Sequence, residues 1–183
     1  GLVYIPPHPR GFCIEGLLHG SPWMSAENNK SMKIKKQPQL EKGPAYHASE
    51  PASSLIDTAR FTTEWPTYRH DAARSGNIQT SVSTDHMRPR WKAFIGGKLS
   101  SVVVAEGKVF VAQIDAHKVH AINAANGSTV WSFTAGERVD SPPTIYRGMA
   151  IFGCADGWVY CLQAKDGQLA WRYQAAPMDR RIV

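Results

Sequence analysis

The sequence is poor in several things that would fix a function early. It has no apolar run of about 18 or more residues, so nothing in it reads as a membrane-spanning helix. Its three cysteines, Cys13, Cys154 and Cys161, cannot all pair within one chain, and no zinc-type spacing surrounds them. No nucleotide-binding glycine loop and no Ser-His-Asp arrangement is present. There is no initiator Met and no basic region leading into a signal core: Gly1 is followed at once by Leu2, Val3, Tyr4 and Ile5, and the chain ends on Arg180, Arg181, Ile182 and Val183. Both ends therefore read as cuts in a longer gene product, and no compartment follows from them.

What the chain does have is a modest positive charge. The formal net charge of +6 is spread out, with Lys and Arg outnumbering Asp and Glu by 9 to 8 over residues 1–87, 10 to 6 over 88–174 and 2 to 1 in the rest. The one dense run, Lys30, Lys33, Lys35 and Lys36, lies among Pro, Ser and Asn and reads as solvated. Nucleic-acid binding, which needs basic residues gathered on an ordered face, is not expected.

Along the chain, residues 1–24 carry a short apolar strand signal and, after Pro6-Pro7, a second patch at Phe12, Cys13, Ile14, Leu17 and Leu18, read as the end of a preceding blade or strand pair. Residues 25–58 read as a linker or long loop, expected to be flexible, with a weak helical signal near Leu55 to Ala59. Beyond residue 59 an internal repeat appears. Trp91, Trp131 and Trp171 are 40 residues apart and 40 again, and Gly107, Asp115, Val119, Ala124, Gly127 and Trp131 match Gly148, Asp156, Val159, Ala164, Gly167 and Trp171 with one residue gained or lost at Ala116-His117-Lys118.

Within each unit, four apolar runs alternate with turn residues. Ser101–Ala105, Val109–Ala112, Val119–Ile122 and Thr129–Phe133 form one set; Pro143–Tyr146, Ala150–Cys154, Trp158–Leu162 and Leu169–Tyr173 form the next. Asn-Gly and Asp-Gly between β-branched and aromatic runs are strong hairpin signals. The pattern predicts four-stranded antiparallel blades at about 100–134 and 141–174, with a strand of an incomplete blade at Arg90 to Phe94. The fold class is all-β, a partial β-propeller. A two-residue loop at Asp156-Gly157 would set Cys154 opposite Val159 and Cys161 opposite Phe152, two residues from direct pairing, so both cysteines are expected to be small buried residues.

Two segments, Ala121-Ile122-Asn123-Ala124-Ala125-Asn126-Gly127-Ser128-Thr129-Val130-Trp131 and Cys161-Leu162-Gln163-Ala164-Lys165-Asp166-Gly167-Gln168-Leu169-Ala170-Trp171, resemble the tryptophan-docking motif of pyrroloquinoline-quinone-type propellers. They depart from it in Asn123 and Gln163, where Asp is commonest, and in Cys161, where Ala is. The stretch Trp65-Pro66-Thr67-Tyr68-Arg69-His70-Asp71-Ala72-Ala73-Arg74-Ser75-Gly76 is similar to the lead-in segment of many bacterial members. In this motif Gly127 and Gly167 take tight turns, while Trp91, Trp131 and Trp171 serve as structural docking residues. Each Trp is expected to cover its own hairpin turn and reach toward the neighbouring blade, with Trp131 more buried than Trp171.

The resemblance implies two functional readings. One is a non-catalytic binding scaffold of a larger bacterial protein, with a protein or other cell-envelope partner, a periplasmic or secreted location and no cofactor. The other is a fragment of a quinone-dependent dehydrogenase holding pyrroloquinoline quinone and a calcium ion, for which the sequence offers no carboxylate cluster. His117 and His120 should point to opposite faces, His70-Asp71 reads as a surface turn, and Asp115 and Asp156 read as hairpin-turn residues. No catalytic or metal-ligating residue is assigned. The ligand-binding candidates are Lys98, Arg138 and Asp140, which precede Ser101 and Ser141 at matching repeat positions.

Overall fold

The computed structural model describes residues 2–4, 23–25, 39–47, 63–78, 80–81 and 88–176. The patch at Phe12 to Leu18, the basic run at Lys30 to Lys36, the stretch Leu55 to Ala59 and the terminal Arg180 to Val183 lie outside the described residues. By itself, the N-terminal unit shows one antiparallel pair, β1 (Leu2–Tyr4) with β2 (Trp23–Ser25), in the register Leu2↔Ser25.

The second unit holds the two repeats. One sheet runs in the order β4 (Val103–Ala105), β5 (Lys108–Gln113), β6 (Lys118–Asn123), β7 (Thr129–Thr134). The other runs β8 (Thr144–Tyr146), β9 (Met149–Gly153), β10 (Trp158–Gln163), β11 (Leu169–Gln174), and a fifth strand, β3 (Leu40–Lys42), pairs on the far side of β11. All neighbours are antiparallel. These are two propeller blades, and they fall where the apolar runs placed them.

The core shows why the runs lack clean alternation. Phe110, Val119 and Ala121 of the first blade and Ala150, Phe152, Tyr160 and Leu162 of the second belong to one continuous buried cluster. A strand pressed between blades has apolar neighbours on both faces. Phe133 of β7 bridges the interface, its ring 6.3 Å from Phe152 and 5.8 Å from Tyr160, while Phe152 and Tyr160 stack at 5.5 Å.

Tryptophan docking corrects the expected geometry. Trp91 donates its indole N–H to the carbonyl of Ala124 at 2.8 Å, and Trp131 does the same to Ala164 at 3.0 Å. A Cβ on Gly127 would fall 2.6 Å from Trp91, and one on Gly167 would fall 2.7 Å from Trp131. Each Trp therefore covers the turn of the following blade, not its own. The packing explains this: neighbouring blades press together in one buried cluster, and the ring of Trp131 reaches across to the last hairpin of the blade that follows. Trp131 is buried at 8% exposure, whereas Trp171 is only half-buried, beside β3.

Four other expectations change. Arg90 to Phe94 forms no ladder among the described residues, since no partner strand lies beside it, and Phe94 stands 93% exposed although Trp91 is docked. The stretch read as a linker contains β3. The β9–β10 hairpin pairs Cys161 with Ile151 and Val159 with Gly153, one residue away from the expected register. Its loop has three residues: Gly157 donates to Cys154 at 3.1 Å and takes a φ of +85°, and Cys154 bonds to Trp158, as in a turn closed by a glycine bulge. Cys154 and Cys161 are both buried free thiols. His70, finally, is buried at 8% exposure, its ring 5.1 Å from that of Trp65.

Candidate functional site

The hairpin loops between the second and third strands of each blade, at Ile114–His117 and Ala155–Gly157, meet the linkers that lead into the innermost strands. The amide of Ile114 donates to the carbonyl of Lys98 at 2.9 Å, and that of Ala155 to Arg138 at 2.9 Å. Lys98 and Arg138 are thus structural equivalents, as their repeat positions imply. In the second linker Val139 is fully buried while Arg138 and Asp140 on either side are exposed. Residues two apart in an extended chain share a face. The Arg138 Nε consequently reaches Asp140 Oδ1 at 2.8 Å. The structure brings these two candidates together; Lys98 stays exposed, and Ser100 stands where the second linker has Asp140, its hydroxyl accepting from Ala112 at 3.0 Å.

Around this pair the linker is pinned to the loop. Tyr160 donates its hydroxyl to Asp156 Oδ2 at 2.6 Å, and the amides of Trp158 and Gly136 bond Asp156 Oδ1 and the Tyr160 oxygen at 3.0 and 3.4 Å. Burial first, then the bond and charge of Asp156, push the Tyr160 phenol up to about 12. The Cys154 thiol donates to the Glu137 carbonyl at 3.2 Å, and burial pushes it up to about 11, far from the thiolate a nucleophile needs. His117 faces Glu137 at 3.9 Å, while His120 contacts Gln113 at 3.1 Å and is held below its ordinary range by burial and by Lys118. Among the described residues no cluster of three or more His, Cys, Asp or Glu could hold a metal ion.

The lead-in segment contributes the other half of the geometry. Trp65 exchanges two backbone hydrogen bonds with Val104 of β4, at 2.7 and 2.8 Å, and the carbonyl of Pro66 accepts from Ile145 of β8 at 2.7 Å. The Thr67 hydroxyl bonds that of Thr144 at 2.9 Å, and Glu64 accepts from the amide of Glu106 at 2.9 Å. One short stretch thereby clasps the innermost strands of both blades. Its own bend is held by Asp71, which accepts from the Ser75 amide and hydroxyl at 2.9 and 2.6 Å, and those bonds lower the Asp71 carboxyl below its usual range. The motif was visible in the sequence, but its hydrogen-bond partners on β4 and β8 carry no sequence mark.

Comparisons with known proteins agree with this architecture. A family model described as outer membrane protein assembly factor BamB matches residues 69–182, more than half of the chain. Two curated relatives have the same name: one from Francisella salina, 25% identical over 134 residues that make up 72% of this chain and 25% of the relative, and one from Francisella tularensis subsp. tularensis (strain SCHU S4 / Schu 4), 26% identical over 131 residues, 70% of this chain and 28% of the relative. The chain spans about a quarter of the length of these relatives. Among solved structures, the quinohemoprotein alcohol dehydrogenase from Comamonas testosteroni superposes with a TM-score of 0.53 at 19% identity, over 68% of this chain and 21% of that one, a likeness of fold alone. The chain therefore belongs to the family of the outer membrane protein assembly factor BamB, a bacterial family of quinoprotein-like β-propellers.

Proposed function

We propose that these blades are part of a non-catalytic scaffold that holds other proteins during the assembly of outer membrane proteins, on the periplasmic side of the cell envelope. The observation that carries the reading is the family match across both blades, residues 69–182. The packing is in keeping with a structural role for the repeated tryptophans: Trp91 and Trp131 are seated on Gly127 and Gly167. The contact surface we assign is the exposed face carrying Lys98 and the Arg138–Asp140 pair, whose mixed charge suits a polar, water-rimmed protein interface.

The test has two arms. A photo-crosslinking residue placed at Lys98 should capture envelope proteins, and Arg138→Glu should reduce that capture several-fold; unchanged capture removes this face from the reading. Titration of the chain with pyrroloquinoline quinone and calcium should leave the quinone spectrum unshifted. Saturable binding with dye reduction in the presence of an alcohol or sugar would establish the dehydrogenase instead.

A further inference from the structure

The strand β3 sits where a four-stranded blade would end. Its register on β11 is Leu40↔Tyr173, Glu41↔Arg172 and Lys42↔Trp171, extended by backbone bonds from Gln174 to Gln39 at 2.7 Å, from Gly43 to Ala170 at 2.8 Å and from Ala45 to Leu169 at 3.0 Å. Three features beyond the backbone ladder select this segment. Arg172 directs Nε and Nη2 at one oxygen of Glu41, at 2.7 and 2.6 Å, while its guanidinium lies 4.3 Å over the ring of Trp158. Gly43 passes so close to β11 that a Cβ there would fall 2.2 Å from the carbonyl oxygen of Leu169. Ala45 is 3% exposed and packs with Cys161 and Ala170.

These requirements form a short linear pattern: a carboxylate, any residue, glycine, any residue, then a small apolar residue. Beside it the aromatic that follows, Tyr46, forms one wall of an open apolar hollow of about 310 Å³, together with Leu40, Val159, Trp171 and Tyr173. The equivalent edge of β7 lacks the selector, because Ser132 stands where β11 has Arg172, and no strand pairs there among the described residues. A plain sheet edge accepts any extended chain, whereas this one accepts by side chain.

We infer that the outer edge of β11 is a strand-acceptor site for extended peptides of the pattern acid–x–Gly–x–small, which residues 39–46 occupy in cis. A partner segment with the same pattern adds as the fifth strand when it displaces the resident one. Because a strand of the same chain competes intramolecularly with any free peptide, the site is masked until the cis strand is removed. The inference rests on residues 39–46 and the strands β10 and β11 they lie against, and stands whether or not the scaffold reading holds.

The experiment uses the full chain and a fluorescein-labelled peptide with the sequence of residues 39–46, followed by anisotropy. Gly43→Val, whose side chain cannot approach Leu169, should unmask the edge and raise peptide affinity at least ~10-fold over wild type. Glu41→Arg in the chain should do the same by repulsion from Arg172 and serves if the first variant does not fold. Adding Arg172→Glu to the Gly43→Val chain, or Arg172→Ala to the Glu41→Arg chain, should abolish binding of the natural peptide, and in the Gly43→Val, Arg172→Glu chain a peptide carrying Glu41→Arg should restore it. Folded, unmasked chain that fails to bind, or binding indifferent to Arg172, overturns the proposal.

Discussion

Gly167 has a hydrogen where any other residue would put a carbon 2.7 Å from Trp131, and its φ is +75°. Gly107 has a similar φ of +69° with nothing within contact of the same virtual atom. The pair separates two effects that usually travel together. Gly107→Ala should cost only the left-handed backbone term, about 1–2 kcal/mol. Gly167→Ala should cost that and in addition part of the Trp131 seat, about 2–4 kcal/mol in all. Urea unfolding of the two variants checks the difference, and equal losses would show that the indole does not rest on that turn. The buried thiols make a second residue-scale prediction: Cys154 and Cys161 should resist iodoacetamide at neutral pH in the native chain and react once it is unfolded. Residues of this kind were only half legible. The glycines announced themselves through the repeat, but a repeat shows that Trp and Gly recur together without showing whether each Trp meets its own turn or the next one. That choice depends on how blades pack, which is absent from any single unit.

At the scale of the element, the β9–β10 hairpin and the linker before β8 are tied by the Tyr160–Asp156 bond. Tyr160→Phe removes that bond and leaves Asp156 to water, for an expected loss of about 1–2 kcal/mol, moderated because Asp156 is half-exposed. The pH dependence has a definite sign. The folded phenol is raised to about 12 above an ordinary value of 10, so its contribution is whole below about pH 10 and is lost as the pH climbs toward 12. Chemical denaturation at pH 8 and pH 11 should therefore show a steeper alkaline loss in wild type than in Tyr160→Phe, and parallel slopes would count against the bond. Strand positions were readable to within about two residues, since Asp-Gly and Asn-Gly mark the turns. Register was not, because Asp156 and Gly157 fit both a two-residue loop and a three-residue loop with a bulge; the side-chain bonds of Asp156 to Trp158 and Tyr160 decide it. The strand β3 was illegible for another reason: Glu41 and Arg172 lie 131 residues apart and belong to no repeat.

For the whole molecule, the two blades share one hydrophobic cluster, and their coupling has three sources: the seat of Trp131 on Gly167, the Phe133–Phe152–Tyr160 aromatic contact, and the lead-in clasp across Val104 and Ile145. Repeat proteins derive their cooperativity from such nearest-neighbour terms. With all three intact, tryptophan fluorescence and far-UV circular dichroism should report one coincident urea transition. Trp131→Ala removes the largest apolar group from the interface, and a buried Trp→Ala change costs about 3–5 kcal/mol. If that loss falls on the coupling between blades, the consequence reaches beyond stability. The blades should then melt separately, Trp91 reporting on the first and Trp158 with Trp171 on the second, and the urea m value of each step should drop because each exposes only one blade's surface. Coincident transitions with an undiminished m value would assign the coupling to the two remaining sources, the Phe133–Phe152–Tyr160 contact and the lead-in clasp, and Phe133→Ala and disruption of the Trp65–Val104 pairing would then decide between them.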